Sequence, residues 1–136
     1  MARKAVKIGL LRKVPLFARC STRELANVAS IGYEDEFPAG QELTREGERG
    51  RQFFVLLEGT VNVRKGGDEV ATMKKGDFFG ETALVSHGAR TATVTATAPV
   101  RALVVTDRSF RSLLGRSPNI QVKVLEALAD RLTPRA

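Results

Sequence analysis

Gln52-Phe53-Phe54-Val55-Leu56-Leu57-Glu58-Gly59-Thr60-Val61-Asn62-Val63-Arg64-Lys65-Gly66-Gly67-Asp68-Glu69-Val70-Ala71-Thr72-Met73 reads as three short strands cut by glycines. Phe53 to Leu57 is a continuous apolar run, the pattern of a strand buried on both faces. Gly66-Gly67 between Val61-Asn62-Val63 and Val70-Ala71-Thr72 predicts a hairpin turn. Hairpins join antiparallel neighbours, so this stretch fixes the class of sheet.

Working outward, the same punctuation continues with glycines at 40, 47, 50, 59, 66, 67, 76, 80 and 88. They divide runs that predict strands near 33–37, 41–45, 52–57, 60–65, 68–73, 91–97 and 100–105. The segment before Tyr33 is helical: a first helix over about 3–13 ends at Pro15-Leu16-Phe17. Ser21-Thr22-Arg23-Glu24 is a capping box that opens a second helix over 22–31. After Pro99 and one more strand, Asp107 is expected to cap a helix that Gly115 stops. Ser117-Pro118 begins the last helix, striped by Ile120, Val124, Leu125, Leu128 and Leu132 and ended by Pro134. The expected fold is α+β, mainly β: an antiparallel, jelly-roll-like β-roll with flanking N- and C-terminal helices. Residues 1–136 form one expected domain, with helices over 1–32, the β-roll over 33–106 and helices over 107–133.

Hydrophobic residues make up 43% and charged residues 27%, an ordinary globular balance. Cys20 is alone, which rules out an internal disulfide and fits a reduced, cytoplasmic setting. No apolar run reaches the ~20 residues that span a bilayer, and Arg12 and Lys13 interrupt the N-terminal apolar patches, so neither a membrane segment nor a signal peptide is expected. The net charge of +7 has a location. Residues 1–23 hold seven of the 22 basic residues and no acid, leaving 15 bases against 15 acids in the remainder. That segment reads either as contact with an acidic partner or as a solubilising helix surface. Its apolar residues scatter around the helical wheel, which speaks against a membrane-lying helix.

The chemistry concentrates in Phe79-Gly80-Glu81-Thr82-Ala83 and Arg90-Thr91-Ala92. Gly80 and Glu81 stand at the mouth of a short helix, whose N-terminal N–H groups suit a phosphate. Arg90 adds a permanent cation with a donor fork matched to phosphate oxygens, and Glu81 can accept from a sugar hydroxyl. This describes a ribose-phosphate pocket; the competing reading is a surface salt bridge between Glu81 and Arg90. Other constellations are weak. His87 is the sole histidine and reads as an exposed loop residue, which excludes a metal site built from several histidines. Glu34-Asp35-Glu36 reads as a solvated strand end rather than a catalytic pair, Cys20 as a residue under a helix, and there is no nucleophile–base set.

Gly80-Glu81-Thr82-Ala83-Leu84 followed by Ala89-Arg90-Thr91-Ala92-Thr93-Val94 resembles the phosphate-binding cassette of the cyclic nucleotide-binding domain family, the type found in catabolite activators, kinase regulatory subunits and nucleotide-gated channels. Glu46-Gly47-Glu48-Arg49-Gly50 through Gly59 resembles that family's second signature. The resemblance spans roughly 10–132. It implies that Gly80 admits the sugar, that Glu81 accepts from the ribose 2′-hydroxyl, and that the N–H groups of Thr82 and Ala83 meet the phosphate. Arg90 would pair with the phosphate charge and Thr91 would add its N–H and hydroxyl. Val63 and Ala71 would lie against the purine and Arg131 would cover it from the last helix. Two departures stand out: Ala89 where the family often has proline, and Thr82 where it usually has an aliphatic residue. The resemblance implies a non-catalytic sensor of cAMP, favoured over cGMP, acting on a protein effector, with a homodimer left open. Five residues follow Arg131, and no DNA-reading helix-turn-helix is expected in this chain. The alternatives are a ligand-free interaction module or a regulatory fragment of a larger effector.

Overall fold

Two four-stranded antiparallel sheets lie face to face in the computed structural model, which describes residues 2–86 and 88–132, with side chains described over 4–86 and 88–130. The strands are β1 (Tyr33–Phe37), β2 (Glu42–Thr44), β3 (Gln52–Glu58), β4 (Val61–Lys65), β5 (Asp68–Met73), β6 (Phe78–Phe79), β7 (Thr93–Ala96) and β8 (Val100–Thr106). One sheet runs β1-β8-β3-β6 and the other β2-β7-β4-β5. Four helices accompany them: α1 (Ala2–Leu11), α2 (Thr22–Ile31), α3 (Asp107–Arg116) and α4 (Pro118–Leu132), with a 3-10 turn at Pro15–Phe17.

The apolar run of β3 is buried on both faces because its alternate residues serve two cores. Phe53, Val55 and Leu57 join Leu103 and Val105 of β8 under the helices, against Leu11, Phe17, Leu25, Phe110 and Ile120. Phe54 and Leu56 point the other way with Ala102 and Val104, and meet Val61, Val63, Val94 and Ala96 of the opposing sheet. The predicted hairpin forms: Gly66 and Gly67 take φ of +59° and +87°, the left-handed pair that a two-residue turn demands. At α2, Ser21 Oγ accepts from the Glu24 N–H at 3.2 Å while the Ser21 N–H donates back to Glu24 Oε1 at 2.8 Å.

Several expectations change in detail. Thr106, not Asp107, caps α3, its hydroxyl accepting from the Ser109 N–H at 3.1 Å, and Asp107 becomes the first-turn acid. Gly115 does not stop α3, since the helix runs to Arg116 and Ser117 closes it. On α4 the buried stripe is Ile120, Val124 and Ala127, and Leu125 stands 59% exposed. β7 begins at Thr93 because the residues before it form a loop pinned to 46–50. Strand β6, two residues paired to Phe54 and Val55, has no counterpart in the sequence reading; two residues show no alternation. Glu34 is not a solvated end: it pairs with Arg101 and, at 3.1 Å, with Lys7. The basic N-terminal segment is likewise partly engaged within the fold, with Arg19 on Asp130 at 2.9 Å and Arg12 donating to Thr22. Cys20 is buried against the helical core. His87, Pro134 and the Arg131 side chain lie outside the described residues.

Candidate functional site

Arg90 is the centre of the site, and its surroundings explain the glycines in both motifs. Its guanidinium threads between Gly50 and Gly80. A Cβ on Gly50 would lie 2.8 Å from Arg90 Nε, and one on Gly80 would lie 2.6 Å from Nη1 and 2.8 Å from the Gln52 carbonyl oxygen. Gly80 also has φ +82°, the left-handed conformation in which glycine alone is unstrained. The 46–50 loop and the 86–92 loop are tied to each other along their backbones. The Arg90 N–H donates to the Glu48 carbonyl at 2.7 Å, and the Gly47 N–H donates to the Arg90 carbonyl at 2.9 Å. Thr44 Oγ1 adds a bond to the Ala92 carbonyl at 3.0 Å. Two signatures separated by 20 residues of sequence thus form one structural unit.

The Arg90 side chain is half-buried, and Nη2 donates to one neutral acceptor, the Gln52 carbonyl, at 2.7 Å. Burial alone pulls its pKa below the ordinary arginine value; no carboxylate acts on it. The Glu81–Arg90 salt bridge weighed above does not form. An arginine stays charged in proteins, so this position holds a cation that has lost water without gaining a counter-charge, a strong attractor for an anion.

Beside it opens a cavity of about 470 Å³. Phe79, Gly80, Glu81, Thr82, Ala83, Arg90, Thr91 and Ala92 line it, and so does Val63 from β4. The 3-10 turn Glu81–Leu84 starts at its wall, and the first N–H groups of such a turn have no partner within it. The Ala83 N–H, however, donates to the Gly80 carbonyl at 3.0 Å. Ala71 pairs with Val63 across the hairpin but does not line the cavity. Met73, two residues along the same face of β5, takes that place, and Lys65 extends the β4 face beyond Val63. The sequence reading missed both. Period-two alternation from Val63 and Ala71 was the signal that could have found them. Among the described residues no group of three potential metal ligands comes together, and no helix is long and apolar enough to cross a membrane.

A family model described as the cyclic nucleotide-binding domain matches residues 34–117, more than half of the chain. The chain belongs to the cyclic nucleotide-binding domain family. The match runs from β1 to the end of α3 and includes both glycine motifs. A cAMP-dependent protein kinase regulatory subunit of Mycosarcoma maydis is 38% identical over 122 residues, covering 83% of this chain and 23% of that protein. A cGMP-dependent protein kinase of Caenorhabditis briggsae is 35% identical over 122 residues, covering 85% and 16%. This cyclic nucleotide-binding chain therefore spans a quarter or less of the length of these curated relatives. Among solved structures, the N-terminal domain of a transcriptional regulator from Streptomyces coelicolor A3(2) superposes with a TM-score of 0.81 at 31% identity, covering 90% of this chain and 89% of that one. The catabolite activator protein of Thermus thermophilus gives 0.69 at 26% identity, covering 88% and 58%. The family membership accounts for the mainly-β roll with flanking helices.

Proposed function

We propose that residues 1–136 act as a single, non-catalytic cytoplasmic module that senses a 3′,5′-cyclic nucleotide in the cavity beside Arg90. The observation that supports this most directly is the half-buried Arg90 cation without a carboxylate partner, held between two glycines at the start of the Glu81–Leu84 turn. Arg90 pairs with the cyclic phosphate, the N–H groups at the start of the turn assist it, and Thr91 adds its N–H and hydroxyl. Ala83 can contribute its N–H only by sharing or releasing the Gly80 carbonyl. Glu81 accepts from the ribose 2′-hydroxyl, the hydroxyl left free in the cyclic ester. Phe79 and Ala92 complete the wall around the sugar and phosphate.

For the base we propose adenine. Val63, Val94 and Met73 give the sheet side of the cavity an apolar wall. Guanine carries two exocyclic polar groups that would need partners there, against one in adenine. Arg131, near the end of α4, is the proposed lid. α4 is held to the N-terminal helical segment by Arg19–Asp130 and by Lys123–Glu24. Movement of α4 on ligand binding would strain these pairs and pass the signal to a protein effector or a second copy. The ligand shifts that equilibrium only by its differential affinity for the two states. Calorimetric titration with cAMP and cGMP tests the reading. Binding of both, tighter for cAMP, is expected, with a loss of tenfold or more in Arg90→Ala, since a charge-assisted bond is worth roughly 1.5–3 kcal/mol. Absence of binding at millimolar nucleotide would leave only the ligand-free interaction module.

A further inference from the structure

Arg90 borders a second cavity, of about 520 Å³, whose lining includes no residue of the Glu81–Leu84 turn. Five arginines line it (Arg45, Arg49, Arg51, Arg90 and Arg108) against two carboxylates, Glu48 and Asp107. Arg49 and Asp107 are both engaged, so the positive charge open to a ligand is that of Arg51 and Arg108, with Arg90 beside them. Arg45 is paired with Glu42 and Glu48. The Asp107 carboxylate accepts from the backbone N–H of Arg108 at 2.7 Å. The guanidinium groups of Arg51 and Arg108 have no side-chain hydrogen bond or ion pair among the described residues. They come from two adjoining elements: Arg51 precedes β3, and Arg108 sits in the first turn of α3. One backbone bond, from the Asp107 N–H to the Arg51 carbonyl at 2.8 Å, fixes the two segments together. The arginines therefore project from a tied scaffold rather than from a free loop. Guanidinium forks match phosphate oxygens pairwise, and several around one cavity suit more than one phosphate group.

We propose that this second cavity binds a small polyphosphate anion, and that its occupancy opposes cyclic nucleotide binding through the shared Arg90. The coupling rests on the reading of the first cavity as the nucleotide site. An anion in the second cavity competes for the same guanidinium and adds a like charge close to the cyclic phosphate. Linkage makes the opposition reciprocal: each ligand weakens the other by the same factor.

The test uses inorganic pyrophosphate as the probe, with ionic strength held constant by chloride. Pyrophosphate is expected to bind the nucleotide-free protein and to weaken cAMP binding about fivefold or more. In Arg51→Gln/Arg108→Gln, which leaves the first cavity intact, cAMP alone should bind within about threefold of the original, because surface charges at a distance are screened at physiological salt. The effect of pyrophosphate on cAMP should disappear in that variant. In Lys65→Gln, which alters the first cavity only, pyrophosphate should still bind. Equal weakening of cAMP in the original protein and in Arg51→Gln/Arg108→Gln would mean direct competition in the first cavity and would overturn the proposal, as would no effect in either. If cAMP binds nowhere, the reading of the first cavity fails instead; pyrophosphate binding that is lost in Arg51→Gln/Arg108→Gln would then still support the second site.

Discussion

Gly50→Ala isolates the placement of Arg90 from everything else in the site. Gly50 is buried and its φ is not positive, so alanine brings no left-handed strain. The three atoms nearest the new methyl group all belong to Arg90, at 2.8 Å (Nε), 2.9 Å (Cζ) and 3.0 Å (Cδ). Ordinary contact begins near 3.5 Å, so the guanidinium must move by more than half an ångström. Its end is held by the Gln52 carbonyl, and the far side is closed by Gly80, where space is already short. In the proposed site, the displaced arginine loses its aim at the cyclic phosphate. A charge-assisted bond contributes roughly 1.5–3 kcal/mol, so affinity should fall about 10- to 150-fold at 1.4 kcal/mol per decade. Stability should change little, since the loss of one bond to a carbonyl is partly offset by the lower chain entropy of alanine in the unfolded state. A net cost below about 2 kcal/mol corresponds to a fall in Tm of no more than about 8 °C. Titration calorimetry with cAMP beside a thermal melt reads both quantities. A folded variant whose affinity stays within threefold of the original would refute the argument that the glycine corridor aims Arg90.

Gly59→Ala should behave in the opposite way, lowering stability by about 3 kcal/mol or more. Gly59 has φ +90°, and a Cβ there would lie 2.9 Å from Val100 Cα and closer still to the Pro99 carbonyl; a thermal melt reads the loss. Glu24 carries a pH prediction. Its carboxyl is held below the ordinary value of 4.5, first by the hydrogen bond from Lys123 and then by the Ser21 N–H. A lowered folded pKa means that this stabilisation is present above about pH 4.5 and is lost as pH falls through the folded value. Glu24→Gln should therefore be less stable at neutral pH and less sensitive to acid between pH 5 and 3, as read by melts across that range. Asp130→Asn breaks the pair with Arg19 that ties α4 to the segment before α2. Hydrogen exchange over α4 should quicken while exchange in β3 and β8 stays unchanged.

The parts of this fold that sequence made legible are those where a local pattern and a long-range demand coincide. Phe53 to Leu57 is apolar at every position because alternate residues enter two different cores, and a run of five is long enough to show it. The capping box and the Gly66-Gly67 turn are decided by neighbours within four residues. What failed was decided across the fold. Thr106 caps α3 because the last residue of β8 is already extended, which is the backbone state that a cap needs. Strand β6 exists because Phe78 and Phe79 pair with Val55 and Phe54; nothing nearer in sequence requires it. The site divides along the same line. The carbonyl that holds Arg90 belongs to Gln52, 38 residues earlier, and sequence gives no sign of it. Gly50 and Gly80 were legible as turn formers, but the structure assigns both a second role that composition could not show, as the two walls of a corridor. At the far wall, the sequence reading names Ala71, whereas the residue that lines the cavity is Met73. Both occupy the same face of the edge strand β5, but a methyl group ends where a thioether chain continues into the cavity. Strand alternation therefore names the face of a sheet that borders a site, and side-chain length decides which residue on that face arrives there.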